Sequence, residues 1–286
     1  KQDGYRAHSR QENYRLLGNA GFRFSDTLDG RVYLTHVDTN SELPGNLTLA
    51  QSKSDPRSAS AANLPLDQRR DFTLDRIGGR LGWAPSESRT LVVSTWLSDK
   101  SLHHPIYQVL DQDSRDVGLD AHWRQEGELA GHRNVLVAGV TWTQGDIDDD
   151  RFVNVAGHAG DRTNRFDQRA TNAKAYVENQ TSLDSRWVLA LGAQGLHSTR
   201  RSRDGYITGG RGGSFGVAYS GFSPKLGMRY LVDDTTQLFA NLSRSLEPPS
   251  FGELTGGPGV TQVNEQKATT AELGAGVQRD ALWLGA

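Results

Sequence analysis

The chain has 286 residues with 32 Gly, one Met and no Cys, a balance that suits a sheet protein with many turns better than a helix-packed core. Its 32 Lys and Arg against 34 Asp and Glu leave a formal net charge of -2, and no long basic stripe points to nucleic acid. The missing cysteines exclude disulfides, thiolate metal sites and cysteine nucleophiles, and no run of 18 apolar residues is present that would cross a membrane as a helix.

Only 35% of the residues are hydrophobic, a thin supply for lining a closed core. A barrel with a polar lumen tolerates the shortage, because only its lipid face must be apolar. The opening Lys1-Gln2-Asp3-Gly4 carries no charged-then-apolar signal segment, which reads as a mature or truncated chain.

Alternation begins at Tyr14. Tyr14, Leu16, Ala20, Phe22 and Phe24 fall on one face, and Arg15, Asn19 and Arg23 on the other. A turn over 25–30 leads to a second strand over 31–37, close enough for an antiparallel hairpin. The next pair is 70–83 and 89–99, where Ile77, Gly79, Leu81 and Trp83 oppose Arg76, Gly78, Arg80 and Gly82 as a lipid side would oppose a lumen. A third pair sets Val117, Leu119, Ala121 and Trp123 against Gly118, Asp120, His122 and Arg124, and continues over 134–143.

Further pairs are 170–181 with 186–196 and 222–231 with 236–243. A last strand over 266–278 is followed by the start of a partner at Leu282-Trp283-Leu284. This gives about twelve strands.

Connections at 25–30, 84–88, 125–133, 182–185, 233–235 and 279–281 are short. Those at 38–69, 100–111, 145–169, 198–221 and 246–265 are long. The strict alternation predicts an all-β, transmembrane, antiparallel up-and-down β-barrel with tight turns on the periplasmic side and long loops outside. The regions around Glu42, His104, Asp149, Arg203 and Glu253 then gather at the outer end. The last strand stops short of a spanning length, so the 286 residues are expected to form an open wall that does not close by itself.

Several segments together resemble the barrel of TonB-dependent outer-membrane receptors. They are 70–83 with its Gly78-Gly79 and Gly82-Trp83, Ser220-Gly221-Phe222-Ser223-Pro224-Lys225-Leu226-Gly227, 238–254 with Leu246-Glu247-Pro248-Pro249-Ser250-Phe251, and Ala268-Thr269-Thr270-Ala271-Glu272-Leu273-Gly274. The segment Glu42-Leu43-Pro44-Gly45-Asn46-Leu47-Thr48 is similar to the first long loop of ferric-citrate-type siderophore receptors. The resemblance implies a parent barrel of 22 strands around an N-terminal plug, driven by an inner-membrane energy-coupling protein that engages a region N-terminal to this chain. Residues 1–286 would be the partial barrel domain, with no plug, in the bacterial outer membrane and as a monomer. The implied partners are a ferric siderophore or other metal chelate, outer-membrane lipid and lipopolysaccharide, with no cofactor. Haem, cobalamin, another metallophore or an oligosaccharide are alternative cargoes. An adhesion or phage-anchoring barrel and an outer-membrane hydrolase are alternatives of other classes.

Gly78, Gly79 and Gly82 read as positions where strands bend or pass close to a plug, and Pro248-Pro249 as a strand end. Glu253 and Arg244 are weaker candidates for facing a plug or ligand. Asp146, Asp148, Asp149 and Asp150 lack the ordered Ca²⁺-loop pattern and read as a solvated loop, with Arg151 balancing its charge. His103, His104 and Tyr107 in the second long loop and His158 in the third lack the spacing of a four-ligand site, but suit contacts to a metal that is already chelated. Arg200, Arg201, Arg203 and Arg211 with Tyr206 form a basic loop suited to an anionic ferric siderophore or to lipopolysaccharide phosphates. The ligand-binding candidates are therefore His103, His104, Tyr107, Arg151, His158, Arg203, Tyr206 and Arg211. No nucleophile elbow, zincin helix or phosphate-cradling loop is present, and no enzyme is expected.

Overall fold

The computed structural model describes residues 1–206, 213–255, 263–279 and 282–285. Its strands are β1 (Gln11–Arg23), β2 (Leu28–Ser41), β3 (Asp71–Ser86), β4 (Arg89–Pro105), β5 (Gln108–Leu129), β6 (His132–Val155), β7 (His158–Ser182), β8 (Trp187–Asp204), β9 (Phe215–Leu231), β10 (Thr236–Glu247), β11 (Gln266–Arg279) and the four-residue β12 (Leu282–Gly285). Two short helices, α1 (Leu49–Ser54) and α2 (Phe251–Thr255), lie in connections. The twelve strands form one antiparallel sheet in sequence order, and β1 and β12 are not paired with each other among the described residues. Successive connections therefore alternate between the two ends of the wall.

Direct cross-strand neighbours share a face, so the register separates the two sides. Val32, Gly79, Thr95, Leu119, Trp142 and Ala173 form one outward row, and Leu34, Ile77, Leu97 and Val117 form another. Large apolar residues on this side stay exposed to the surroundings, with Ile77 at 50%, Leu81 at 51% and Leu273 at 86%. The opposite side carries Arg76, Arg80, Lys174, Glu178 and Lys225. A water-soluble sheet buries its apolar side, whereas this one turns it outward, as hydrocarbon contact requires. Phe22, Trp83, Trp123, Trp187 and Tyr230 mark the band's margin nearest the tight turns, with the Trp187 and Tyr230 rings 4.5 Å apart.

The band also reveals the strand tilt. The outward row through Leu97 continues as Val117, Gln144, Thr171, Thr199 and Ala218, and so becomes polar or small by β9. On β9 the first large apolar outward residue is Phe222, four positions after Ala218. Four residues at about 3.3 Å, set against five strand spacings of about 4.8 Å, correspond to a tilt of roughly 30°.

Inside, the Trp96 ring lies over Gly118, its direct neighbour on β5; a β-carbon there would fall within the indole. The glycines that drew notice in the sequence are less confined. Gly78 and Gly79 have only ordinary van der Waals neighbours, while a β-carbon at Gly82 would crowd Asp29 and Arg80.

Two of the expected long loops are corrected by the pairing. Residues 100–111 and 145–169 continue as strands, so that β4 turns into β5 around Ile106-Tyr107 and β6 into β7 at Ala156-Gly157. The short connection expected over 125–133 shrinks to Ala130-Gly131, and the loop after β8 begins only beyond Asp204. Ala156 and Gly157 both have positive φ (51° and 87°), the backbone of a tight primed hairpin turn. At 24 and 25 residues β6 and β7 run about 80 Å along their axes, far more than an apolar band of about 25 Å requires. The physical reason is that backbone pairing does not need apolar alternation. Past the band both faces are wet, and charges take the alternating positions: Asp99 with Arg115 (2.7 Å), Asp146 with Arg169, and Asp150 with Arg162 (3.3 Å).

Candidate ligand-binding face

The ribbons, the long connection between β2 and β3, and the first ten residues assemble into a crown at one end of the wall. Arg6 binds three carbonyls of that connection, from Nη1 to Gly45 O (2.7 Å), Nη2 to Pro44 O (3.2 Å) and Nε to Ser58 O (2.9 Å). His8 Nε2 donates to Gln68 O at 2.8 Å. Asn154 joins three segments: its Nδ2 donates to Leu66 O (2.9 Å) and Ile106 O (2.6 Å), and its Oδ1 accepts from Gly157 N (2.8 Å). Val109 and Leu102 are buried here. Asn154 did not stand out in the sequence; its only signal is an Asn three residues before a turn glycine.

The residues singled out in the sequence divide among separate places. His103 lies on β4, with Nδ1 facing Asp111 Oδ1 at 2.6 Å and Nε2 facing Gly157 O at 3.1 Å, so both ring nitrogens serve to brace the two ribbons. His104 Nδ1 donates to Arg69 O at 2.7 Å. Tyr107 is exposed at the β4–β5 turn, and His158 is exposed where β7 begins. These four share the crown. Arg151 points inward instead, donating to Asp149 Oδ2 (2.7 Å) and covering the Phe166 ring (5.1 Å). Asp149 is therefore buried at 2% exposure, unlike the solvated loop expected for the acidic run. Arg203 projects outward with its Nε 4.0 Å from Asp167, and Tyr206 follows β8, its N donating to Asp204 Oδ1. Arg211 lies outside the described residues. No three His, Asp or Glu side chains are arranged to hold a metal ion among the described residues.

On the inward side the connection after β10 folds back over β8 and β9. The strand ends at Glu247, before Pro248-Pro249, because neither proline can donate to a ladder. Arg200 Nε donates to Pro249 O (3.1 Å), Tyr219 Oη donates to Val263 O (3.1 Å), and the rings of Phe215 and Phe251 lie 6.4 Å apart. Leu254 of α2 is 1% exposed. Glu253 accepts from the N and Oγ of Ser250, and these bonds lower its carboxyl pKa below the ordinary value. It caps α2, and Leu196, Ser198, Arg200 and Ser202 are buried on the inward face of β8.

An apolar outward band, a polar inward face and an up-and-down order describe a membrane wall without saying whose it is. A family model described as TonB dependent receptor-like, beta-barrel, matches residues 3–286. The chain belongs to this family. It is a stretch of an outer-membrane receptor wall, in a family of transport receptors and not of enzymes. The receptor wall is also similar to solved structures. The ferric citrate transporter FecA in its unliganded form aligns with a TM-score of 0.83 at 15% identity, covering 97% of this chain and 42% of that one. The ferric-catecholate import receptor Fiu from K12 E. coli aligns at 0.73 and 13% identity, covering 97% and 50%. The siderophore receptor PiuA from Acinetobacter baumannii aligns at 0.74 and 9% identity, covering 95% and 48%. At these identities the likeness is one of fold, and the chain spans half or less of the length of each.

Proposed function

We propose that this wall belongs to a receptor that takes up a ferric siderophore or a similar metal chelate across the outer membrane. The observation that carries the reading is the family match over nearly the whole chain, on a sheet whose apolar side faces outward and whose polar side, with the folded-back connection, faces inward. Residues 1–286 contribute twelve of 22 strands, and a plug domain and energy-coupling segment are contributed from outside this stretch. The ring is a monomer of 22 strands, in which β1 and β12, not paired with each other among the described residues, neighbour other strands of the receptor. Cargo is captured by the crown and the inward face, energy reaches the plug from the inner membrane, and the wall itself performs no reaction. His103, His104, Tyr107 and His158 act through the crown, Arg151 from the inward face, and Arg203, Tyr206 and Arg211 around the β8–β9 connection.

Uptake tests the proposal. Disruption of the gene is expected to abolish accumulation of at least one radiolabelled ferric chelate from a broad panel, with recovery on complementation. Unchanged uptake of every chelate would overturn it.

A further inference from the structure

Among the inward-facing groups Arg200 is out of balance. It is 9% exposed, and every partner it has among the described residues is neutral. Nε is bonded to Pro249 O (3.1 Å), while Nη1 reaches Asn172 Oδ1 (3.0 Å), Thr199 O (3.0 Å) and Thr171 O (3.5 Å). Asn172 is itself fixed, since its Oδ1 also accepts from Ser198 Oγ (2.9 Å) and its Nδ2 donates to Thr143 Oγ1 (3.1 Å). The guanidinium is thus held in one orientation, and its Nη2 bonds to no described residue.

Arg200 borders an inward cavity of about 480 Å³, also lined by Thr141, Thr143, Asn172, Lys174 and Glu247. Lys174, opposite Thr141 and Leu196 in the sheet, has no ion pair among the described residues. Glu247 is the one carboxylate lining the cavity and lies within 4.0 Å of neither cation's nitrogens. Burying a cation without its counter-charge costs several kcal/mol. Mooring the folded-back connection does not explain that cost, because a neutral amide would also donate to Pro249 O. A fixed guanidinium and an ammonium with no ion pair among the described residues, on one water-accessible cavity, are the donors that recognise a carboxylate, the first by its planar fork and the second as a point charge.

We propose that this cavity receives a carboxylate group of an anionic metal chelate, held by Arg200 Nη2 and Lys174 and flanked by the hydroxyl of Thr143, while the Thr141 hydroxyl is already donated to Asp120 Oδ2 (2.8 Å). The inference rests on the uptake reading above and narrows its cargo to carboxylate-bearing chelates.

The test uses the full-length receptor purified in detergent, with citrate, ferric citrate, inorganic phosphate and a neutral ferric trihydroxamate as probes, followed by calorimetry. Citrate and ferric citrate are expected to bind, and Lys174→Gln to weaken both by roughly tenfold or more, as for a lost charge-assisted contact. Arg200→Gln is expected to weaken them further and Arg200→Lys to restore part of the loss, with heat-modified gel mobility confirming a folded barrel in each variant. Lys174 bonds to nothing described, so its variant keeps the test valid if Arg200→Gln disturbs the wall. Absence of citrate binding, equal affinity in the wild type and Lys174→Gln, or a preference for phosphate would each overturn the proposal. Uptake in cells separates it from the broader reading. Import of the trihydroxamate without carboxylate binding leaves transport standing and removes this site. Arg200-dependent citrate binding without import of any chelate does the reverse.

Discussion

The lower part of the wall and the ribbons above it are built from the same continuous strands, yet they are stabilised differently. Around Leu119, Val140 and Val177 one face meets hydrocarbon, so side-chain polarity is dictated position by position. Around Asp113, Asp148 and Asp167, which lie directly opposite one another on β5, β6 and β7, both faces are wet. Three like charges in one cross-strand row are unfavourable. The backbone ladder holds there nonetheless, and the cations beside Asp167, Arg165 (3.9 Å) and Arg203 (4.0 Å), are worth little individually at an exposed site. Membrane contact disciplines side chains, whereas the ladder alone can carry a strand once it is anchored below.

The sharpest test of this contrast places one charge in each region. Leu119→Arg, in the apolar band, is expected to destabilise the barrel by about 2–4 kcal/mol. Ser101→Arg, on the outward face of a ribbon and bonded to Asp113 (2.7 Å), should stay within about 0.5 kcal/mol. Reversible urea unfolding of the full receptor in liposomes gives both values, and equal costs would break the comparison.

Within the lower wall, Gly118→Val is expected to cost about 1–3 kcal/mol, because the new side chain occupies the space of the Trp96 ring. Combining it with Trp96→Ala should recover much of that loss. The same unfolding measurement, arranged as a double-mutant cycle, checks the coupling, and additive effects would contradict the packing described.

A smaller and local effect is expected at the crown. Asn154→Ala removes the side chain that joins Leu66, Ile106 and Gly157, and should lower the local opening free energy of those segments by about 1–3 kcal/mol. Faster amide exchange over residues 64–69 and 105–109, with no change in the global unfolding midpoint, is the expected pattern. A shift of the global midpoint would mean that the crown and wall unfold together.

The smallest effect is on pH. Asp184 is held below the ordinary carboxyl pKa by hydrogen bonds from the backbone of Arg186 and Trp187, and Asp233 by the side chain and backbone of Thr235 with further bonds from Thr236. Both lie in tight turns at the end of the wall opposite the crown. A depressed folded pKa means that their contribution is complete above the unfolded value of about 4 and is lost as pH falls through the folded values. Acidification below about pH 4 should therefore speed amide exchange at Trp187 and Thr236 relative to its intrinsic rate. The Ala156-Gly157 turn, which has no carboxylate cap, serves as the reference. Equal acid sensitivity of the three turns would remove the distinction.

The strands legible in the sequence are those whose one side touches lipid. Ile77, Leu81 and Trp83 against Arg76 and Arg80 announce β3, and the short connections at 84–88 and 233–235 lie where the turns form. The same reading failed over 145–169, where Asp146, Asp148 and Asp150 look like solvated loop but alternate with Asp149 along a paired strand. The histidines were noticed for their chemistry, but a sequence does not show that both nitrogens of His103 are engaged.

By itself the sequence determined the outward apolar face, the up-and-down order and the family, because lipid contact imposes a period of two and short turns force antiparallel neighbours. Only the tertiary structure decided how far the strands extend beyond the membrane and which charges lack partners. Arg200 read as one of several arginines in a basic loop; register turns it inward to the cavity that Lys174 also lines, while Arg201 and Arg203 face out. Alternation assigns a residue to a face, but the neutral partners of Arg200, Asn172 and the Pro249 carbonyl, are brought together only across the sheet and a folded-back connection.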